Sequence, residues 1–183
     1  MPRPKKKKLL IIDGYNIINS WGELSDIAEE DLEGSRERLI DYMIEYSKYM
    51  SFEAIIVFDA YNVKNAADRE IKRADSLTVV YTKENQTADS YIEKYISNIP
   101  NKKNREIIVA TSDQAEQQIV LGKGGSRMTA RELELDILKA KEDIRKHKSL
   151  KTGKKTIQRN TLVDRVDDDI ISKLEKIRRS KMK

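Results

Sequence analysis

A chain of 183 residues, 38% of them hydrophobic, is long enough to bury one core and carry an appendage. Charged residues make up 37%, and 36 Lys+Arg against 31 Asp+Glu leave a net charge of +5, which favours a polyanionic partner. No cysteine is present and no apolar run is long enough for a bilayer or a secretory leader, so disulfide scaffolds, thiolate zinc sites and cysteine nucleophiles are excluded and a cytoplasmic protein is expected.

Taken in order, residues 1–8 with "PRPKKKK" read as a basic tail. "LLII" (9–12) is apolar throughout, as strands covered on both faces are, and it delivers Asp13, Gly14, Tyr15 and Asn16 at its carboxyl end. Alone, Asp13 fits a turn or a helix cap. A helix follows in "SRERLIDYMIEYSKYM" (35–50), where Leu39, Tyr42, Met43, Tyr46 and Met50 recur at three- and four-residue spacing. "AIIVF" (54–58) and "LTVVY" (77–81) are further strands, the first ending on Asp59.

The next helix is expected to begin near Thr87 and to turn Tyr91, Ile92, Tyr95 and Ile96 inward. Asp89 lies in its first turn, where the helix dipole favours a carboxylate, and Glu93 follows one turn on. "IIVA" (107–110) is a strand that leads into Thr111, Ser112 and Asp113, and "IVL" (119–121) is a further short strand. "TARE" (129–132) fits a capping box, the start signal of another helix. "KHKSLKTGKKTIQRN" (146–160) reads as a flexible basic linker, and Val163, Val166, Ile170, Leu174 and Ile177 then mark a terminal helix. The expected division is a tail at 1–8, a domain at 9–146, and a basic linker with a terminal helix at 147–183.

Strands alternating with helices predict an α/β fold with a mainly parallel sheet covered on both faces. Ligand sites in such sheets lie outside the carboxyl ends of the strands. Asp13, Asp59, Asp89 and Asp113 all fall on that edge. Each has an ordinary reading as a turn or cap residue. Gathered together they repel, and at neutral pH such a cluster needs a shared proton or a bound cation. Hard ions, Mg2+ or Mn2+, take oxygen ligands of this kind. Beside a basic surface this chemistry suits a phosphodiester, with the metal activating water and Asn16 orienting a ligand. The competing reading is a catalytically silent RNA- or ribosome-binding module that uses its lysine-rich ends. "GKGGSR" lacks the spacing of a phosphate loop, and His147, the single histidine, sits in the basic linker.

"DGYNII", "VFDAY", "YTKENQTADSYIE", "VATSDQAEQ" and "GGSRMTAREL", in this order between residues 9 and 138, resemble the YacP-like branch of the NYN nucleases, within the PIN-like superfamily. The resemblance implies a PIN-like three-layer α/β/α domain with a metal-dependent endoribonuclease site that cleaves messenger RNA in association with the ribosome. It implies Asp13, Asp89 and Asp113 as catalytic and metal-holding acids, Asp59 as a further metal ligand, and Asn16, Thr111, Ser112 and Arg127 on the substrate side. Two departures stand out. Gln86 precedes Thr87-Ala88-Asp89 where the family usually has Glu, and Gly124-Gly125-Ser126 precedes Arg127 where it has Gly-Ala before the basic residue. The basic linker and terminal helix fall outside the resemblance.

Overall fold

The computed structural model describes residues 6–59 and 70–159, with 148–159 described by backbone alone. Strand β1 (Lys7–Asp13) explains why "LLII" has no polar residue: Leu10 and Ile12 enter one core while Leu9 and Ile11 enter another on the opposite face. Around it lie β2 (Glu53–Phe58), β3 (Glu70–Ala74), β4 (Leu77–Tyr81), β5 (Arg105–Ala110) and β6 (Ser126–Met128), in the six-stranded order β3-β4-β2-β1-β5-β6. Every neighbouring pair is parallel except β3 with β4. The edge strand β3 is "EIKRA", interrupted by an irregularity between Lys72 and Ala74, which discourages a further strand from pairing there.

One face of the sheet is covered by α1 (Gly14–Ser20), α2 (Gly22–Glu30), α3 (Leu32–Met50) and the start of α6 (Ala130–Arg159). Ile17, Leu24, Leu39, Met43, Leu133 and Ile137 pack there against Ile12, Ile56 and Phe58. The other face is covered by α4 (Ala88–Asn98) and α5 (Gln114–Gly122), which set Ile92, Ile96 and Val120 against Ile11, Val57 and Val109. Each of these fully buried aliphatic side chains stabilises the fold by about 1.5–3 kcal/mol relative to exposure. The result is the α/β/α sandwich expected from the alternation of strands and helices. Among the described residues no helix is long and apolar enough to cross a membrane.

Two expectations are corrected. "IVL" at 119–121 belongs to α5, because Val120 alone faces the core while Ile119 and Leu121 are exposed, as successive helical positions must be. The segment expected to be a flexible linker is helical to Arg159: it continues α6, contains no proline, and is rich in Lys, a good helix former. The capping box does open α6. Thr129 Oγ1 accepts the Glu132 N–H at 3.1 Å, and Glu132 Oε2 accepts the Thr129 N–H at 2.7 Å. The chain divides into two units, Met1–Lys141 and Glu142–Lys183, and the sheet with both cores lies in the first. The expected terminal helix, the first residues of the basic tail and the end of "VFDAY" lie outside the described residues.

Strand order reverses beside β1. The chain runs from β1 to β2 and β4 on one side and returns to β5 on the other. Helices α1 and α5 then leave the carboxyl ends of β1 and β5 toward opposite faces, since Ile17 joins one core and Val120 the other. A crevice opens at such a reversal.

Candidate active site

Asp13 ends β1 and caps α1, its Oδ1 accepting the Asn16 N–H at 3.1 Å. The next residue is Gly14, where a Cβ would lie 2.2 Å from the Phe58 ring, so its lack of a side chain lets Phe58 pack against the turn. Asp13 is only 8% exposed. Burial, and after it the charges of Asp89, Asp113 and Asp59, push its carboxyl up to about 6 against the pull of the Asn16 N–H.

Asp89 stands in the first turn of α4, whose N-cap Thr87 accepts the Ser90 N–H at 3.2 Å. Its carboxyl is raised by burial and by Asp113 and Asp59, while a hydrogen bond with Asp13 opposes the rise. Asp113 caps α5, with Oδ1 accepting the N–H groups of Ala115 at 2.7 Å and Glu116 at 3.1 Å. Asp13, Asp59, Asp89 and Asp113 line one cleft of about 550 Å3, together with Tyr15, Asn16 and Thr87. Glu93 stands outside it, paired with Lys123 at 3.3 Å.

The tightest grouping includes a residue that sequence reasoning did not single out. One carboxylate oxygen from each of Asp13, Asp89 and Glu116 lies within 4.8 Å of the others. Glu116 is 4% exposed, and neither of its carboxylate oxygens has a hydrogen-bond partner. Burial, and after it the charges of Asp13, Asp89 and Asp113, lift its carboxyl to about 7; the neighbouring Thr111 hydroxyl, though not in hydrogen-bond geometry, acts against the rise. A buried carboxylate without a partner is costly. A hard cation held by Asp13, Asp89 and Glu116 would satisfy it, so the donor set fits Mg2+ or Mn2+. Asp113 lines the same cleft but is not part of this closest grouping, and one of its carboxylate oxygens caps α5. The available signal for Glu116 was its place in the first turn of α5, the same argument that found Asp89 on α4.

The substrate-side residues behave differently from one another. Asn16 Oδ1 accepts the Ser112 N–H at 2.7 Å and also takes the Ser112 hydroxyl, so these two tie the turn after β1 to the turn after β5. Thr111 is fully buried: its Oγ1 accepts the Asp113 N–H at 3.1 Å and its carbonyl accepts Gln117 Nε2 at 2.9 Å. The expectation that Thr111 meets substrate is therefore corrected, because its side chain holds the loop from inside. Arg127 lines an adjoining cleft instead of the acidic one.

Comparison with known proteins matches a family model, YacP-like NYN domain, to residues 10–179. The protein YacP of Bacillus subtilis (strain 168) is 35% identical over 171 residues, covering 93% of this chain and 96% of YacP. The crystal structure of Rae1 (YacP) from Bacillus subtilis superposes with a TM-score of 0.70 at 34% identity, over 95% of this chain and 96% of that one. A crystal structure of a mutant of the same Bacillus subtilis protein gives 0.63 at 37% identity, over 75% of this chain and 79% of that one.

Proposed function

The chain belongs to the YacP-like NYN domain family, and from that membership and its carboxylate cluster we propose that it is a divalent-metal-dependent endoribonuclease acting on single-stranded RNA. The observation that carries the reading is Glu116, buried without a partner beside Asp13 and Asp89. A nuclease-like, RNA-related role is what the family supports. Metal dependence, endonucleolytic cutting of messenger RNA, association with the ribosome and a cytoplasmic location are our extension of it.

On this reading Asp13, Asp89 and Glu116 hold the ion, with Asp59 and Asp113 lining the same cleft and adding negative potential. Mg2+ or Mn2+, when bound, supplies Lewis acidity at the phosphoryl group and a water of lowered pKa. The Asn16–Ser112 tie keeps the two loops in register, and so keeps the acids on the loops aligned with Asp13. A net charge of +5 draws the polyanion toward a cleft that would repel it without the ion.

The test is to incubate the purified protein with single-stranded RNA and with translating ribosomes, each with Mn2+ or Mg2+, and to repeat with Asp13→Asn, Asp89→Asn and Glu116→Gln. Fragments should appear with the wild-type chain, disappear on adding chelator, and fall by at least about 100-fold in each variant, which corresponds to about 2.7 kcal/mol of barrier. RNA binding without metal-dependent cutting on either substrate would favour the silent binding module instead.

A further inference from the structure

Beside the acidic cleft lies a second one, of about 720 Å3, lined by Ser20, Ser112, Gln114, Gln118, Arg127 and Arg131 among others. The two are neighbours through a few residues. Asn16 and Asp113 line the acidic cleft, Ser20 and Ser112 line the second, and the Asn16–Ser112 hydrogen bonds form the partition. The Ser20 and Ser112 hydroxyls stand 2.9 Å apart on that partition. The lining is of opposite character to the first cleft: amides, hydroxyls and guanidinium groups in place of aspartates. Its one acid, Glu134, is paired with Arg131 at 3.0 Å.

Arg127 is held by a neutral group, as Arg36 is by the Tyr15 hydroxyl at 2.9 Å. Arg38, Arg73, Arg105 and Arg131 each pair with a glutamate. Arg127 Nη1 instead donates to the neutral Oε1 of Gln117 at 3.1 Å; Glu132 is near enough for the two charges to attract, without a direct ion pair. Gln117 is itself buried, and its Nε2 donates at 2.9 Å to the carbonyl of Thr111, directly before the partition. An amide fixes a guanidinium without neutralising it. That leaves a positive charge and further donors for a phosphate, which a planar guanidinium recognises well.

We propose that this second cleft is the subsite for the nucleotide next to the scissile bond, with Arg127 binding the flanking phosphate and Gln117 as its positioning residue. The inference rests on the reading of the acidic cleft as the cutting site for RNA. The strand crosses the Asn16–Ser112 partition, one phosphate facing the acids and the adjoining one facing Arg127, while Gln114 and Gln118 offer amide groups to the base or ribose.

The experiment measures binding of a fluorescently labelled single-stranded oligouridylate in chelator, across a salt series, and its cleavage with Mn2+. Arg127→Ala should weaken binding about tenfold, the loss of one charge-assisted contact, and should lower the salt slope by about 0.7, one phosphate on a single strand. Its cleavage defect should fall more on KM than on kcat. Arg127→Lys should recover part of the loss. Gln117→Met should weaken binding by a smaller factor while keeping the salt slope, because the charge stays and only its placement is lost. Lys103→Ala, which removes an exposed charge in the turn before β5, should bind as wild type. Wild-type affinity and salt slope in Arg127→Ala would overturn the subsite even if cleavage by the wild-type chain is robust. Conversely, Arg127-dependent binding with no metal-dependent cleavage of either the oligouridylate or RNA on translating ribosomes would leave Arg127 as an RNA contact and overturn both the nuclease reading and the subsite's place beside a scissile bond.

Discussion

The Asp13 carboxylate accepts the Asn16 N–H and also faces Asp89 and Glu116, so capping and site formation draw on one side chain. Its neighbours make the cluster sensitive to pH. Asp13 rises from 3.8 to about 6 in the fold and Glu116 from 4.5 to about 7, both chiefly through burial. Between the unfolded and folded values the native protein retains protons that the unfolded chain has released. In the absence of metal, this pair therefore takes away stability as pH rises from about 4 to about 7, by a few kcal/mol at most. Melting curves in chelator should show Glu116→Gln gaining on the wild-type protein as pH rises through that window, with Mn2+ reducing the gain; parallel curves would count against a buried, ionisable Glu116. The four aspartates were legible in the sequence because each follows a recognisable strand or opens a recognisable helix. Glu116 was not singled out although it stands in a first turn as Asp89 does, since such an acid ordinarily faces solvent and only the packing of α5 turns this one inward.

At the level of elements, Asp113 poses a question that sequence could not settle, because a helix cap and a metal-site acid look alike. The structure shows the cap directly, through the N–H groups of Ala115 and Glu116. Two substitutions separate the roles. Asp113→Asn keeps an oxygen able to cap and should leave stability to urea nearly unchanged, whereas Asp113→Ala should cost about 1 kcal/mol. If the charge of Asp113 matters to the site, both should lose activity; if only its cap matters, Asn should retain it. The capping box of α6 was readable because Thr129 and Glu132 carry their signal within four residues. Strand β6 was not readable, because "SRM" owes its conformation to parallel pairing with β5 and has no periodicity of its own. "IVL" misled for the related reason that a short apolar run looks the same in a buried strand and in a helix of which one residue faces the core.

For the whole molecule, the α/β class followed from the alternation of apolar runs and amphipathic stretches, but the strand order did not, and it is the order that makes the site. Placing β1 between β2 and β5 sends α1 and α5 to opposite faces and brings Asp13, Asp89 and Glu116, from three separate stretches of chain, to one crevice. At neutral pH such a gathering of carboxylates needs a shared proton or a bound cation, and the proposed function takes the cation. The most direct measurement is the anomalous scattering of manganese in crystals of the wild-type protein equilibrated with Mn2+. The account predicts a peak bonded to carboxylate oxygens of Asp13, Asp89 and Glu116, absent from crystals of Glu116→Gln. Manganese-saturated crystals with no peak in that crevice would contradict it.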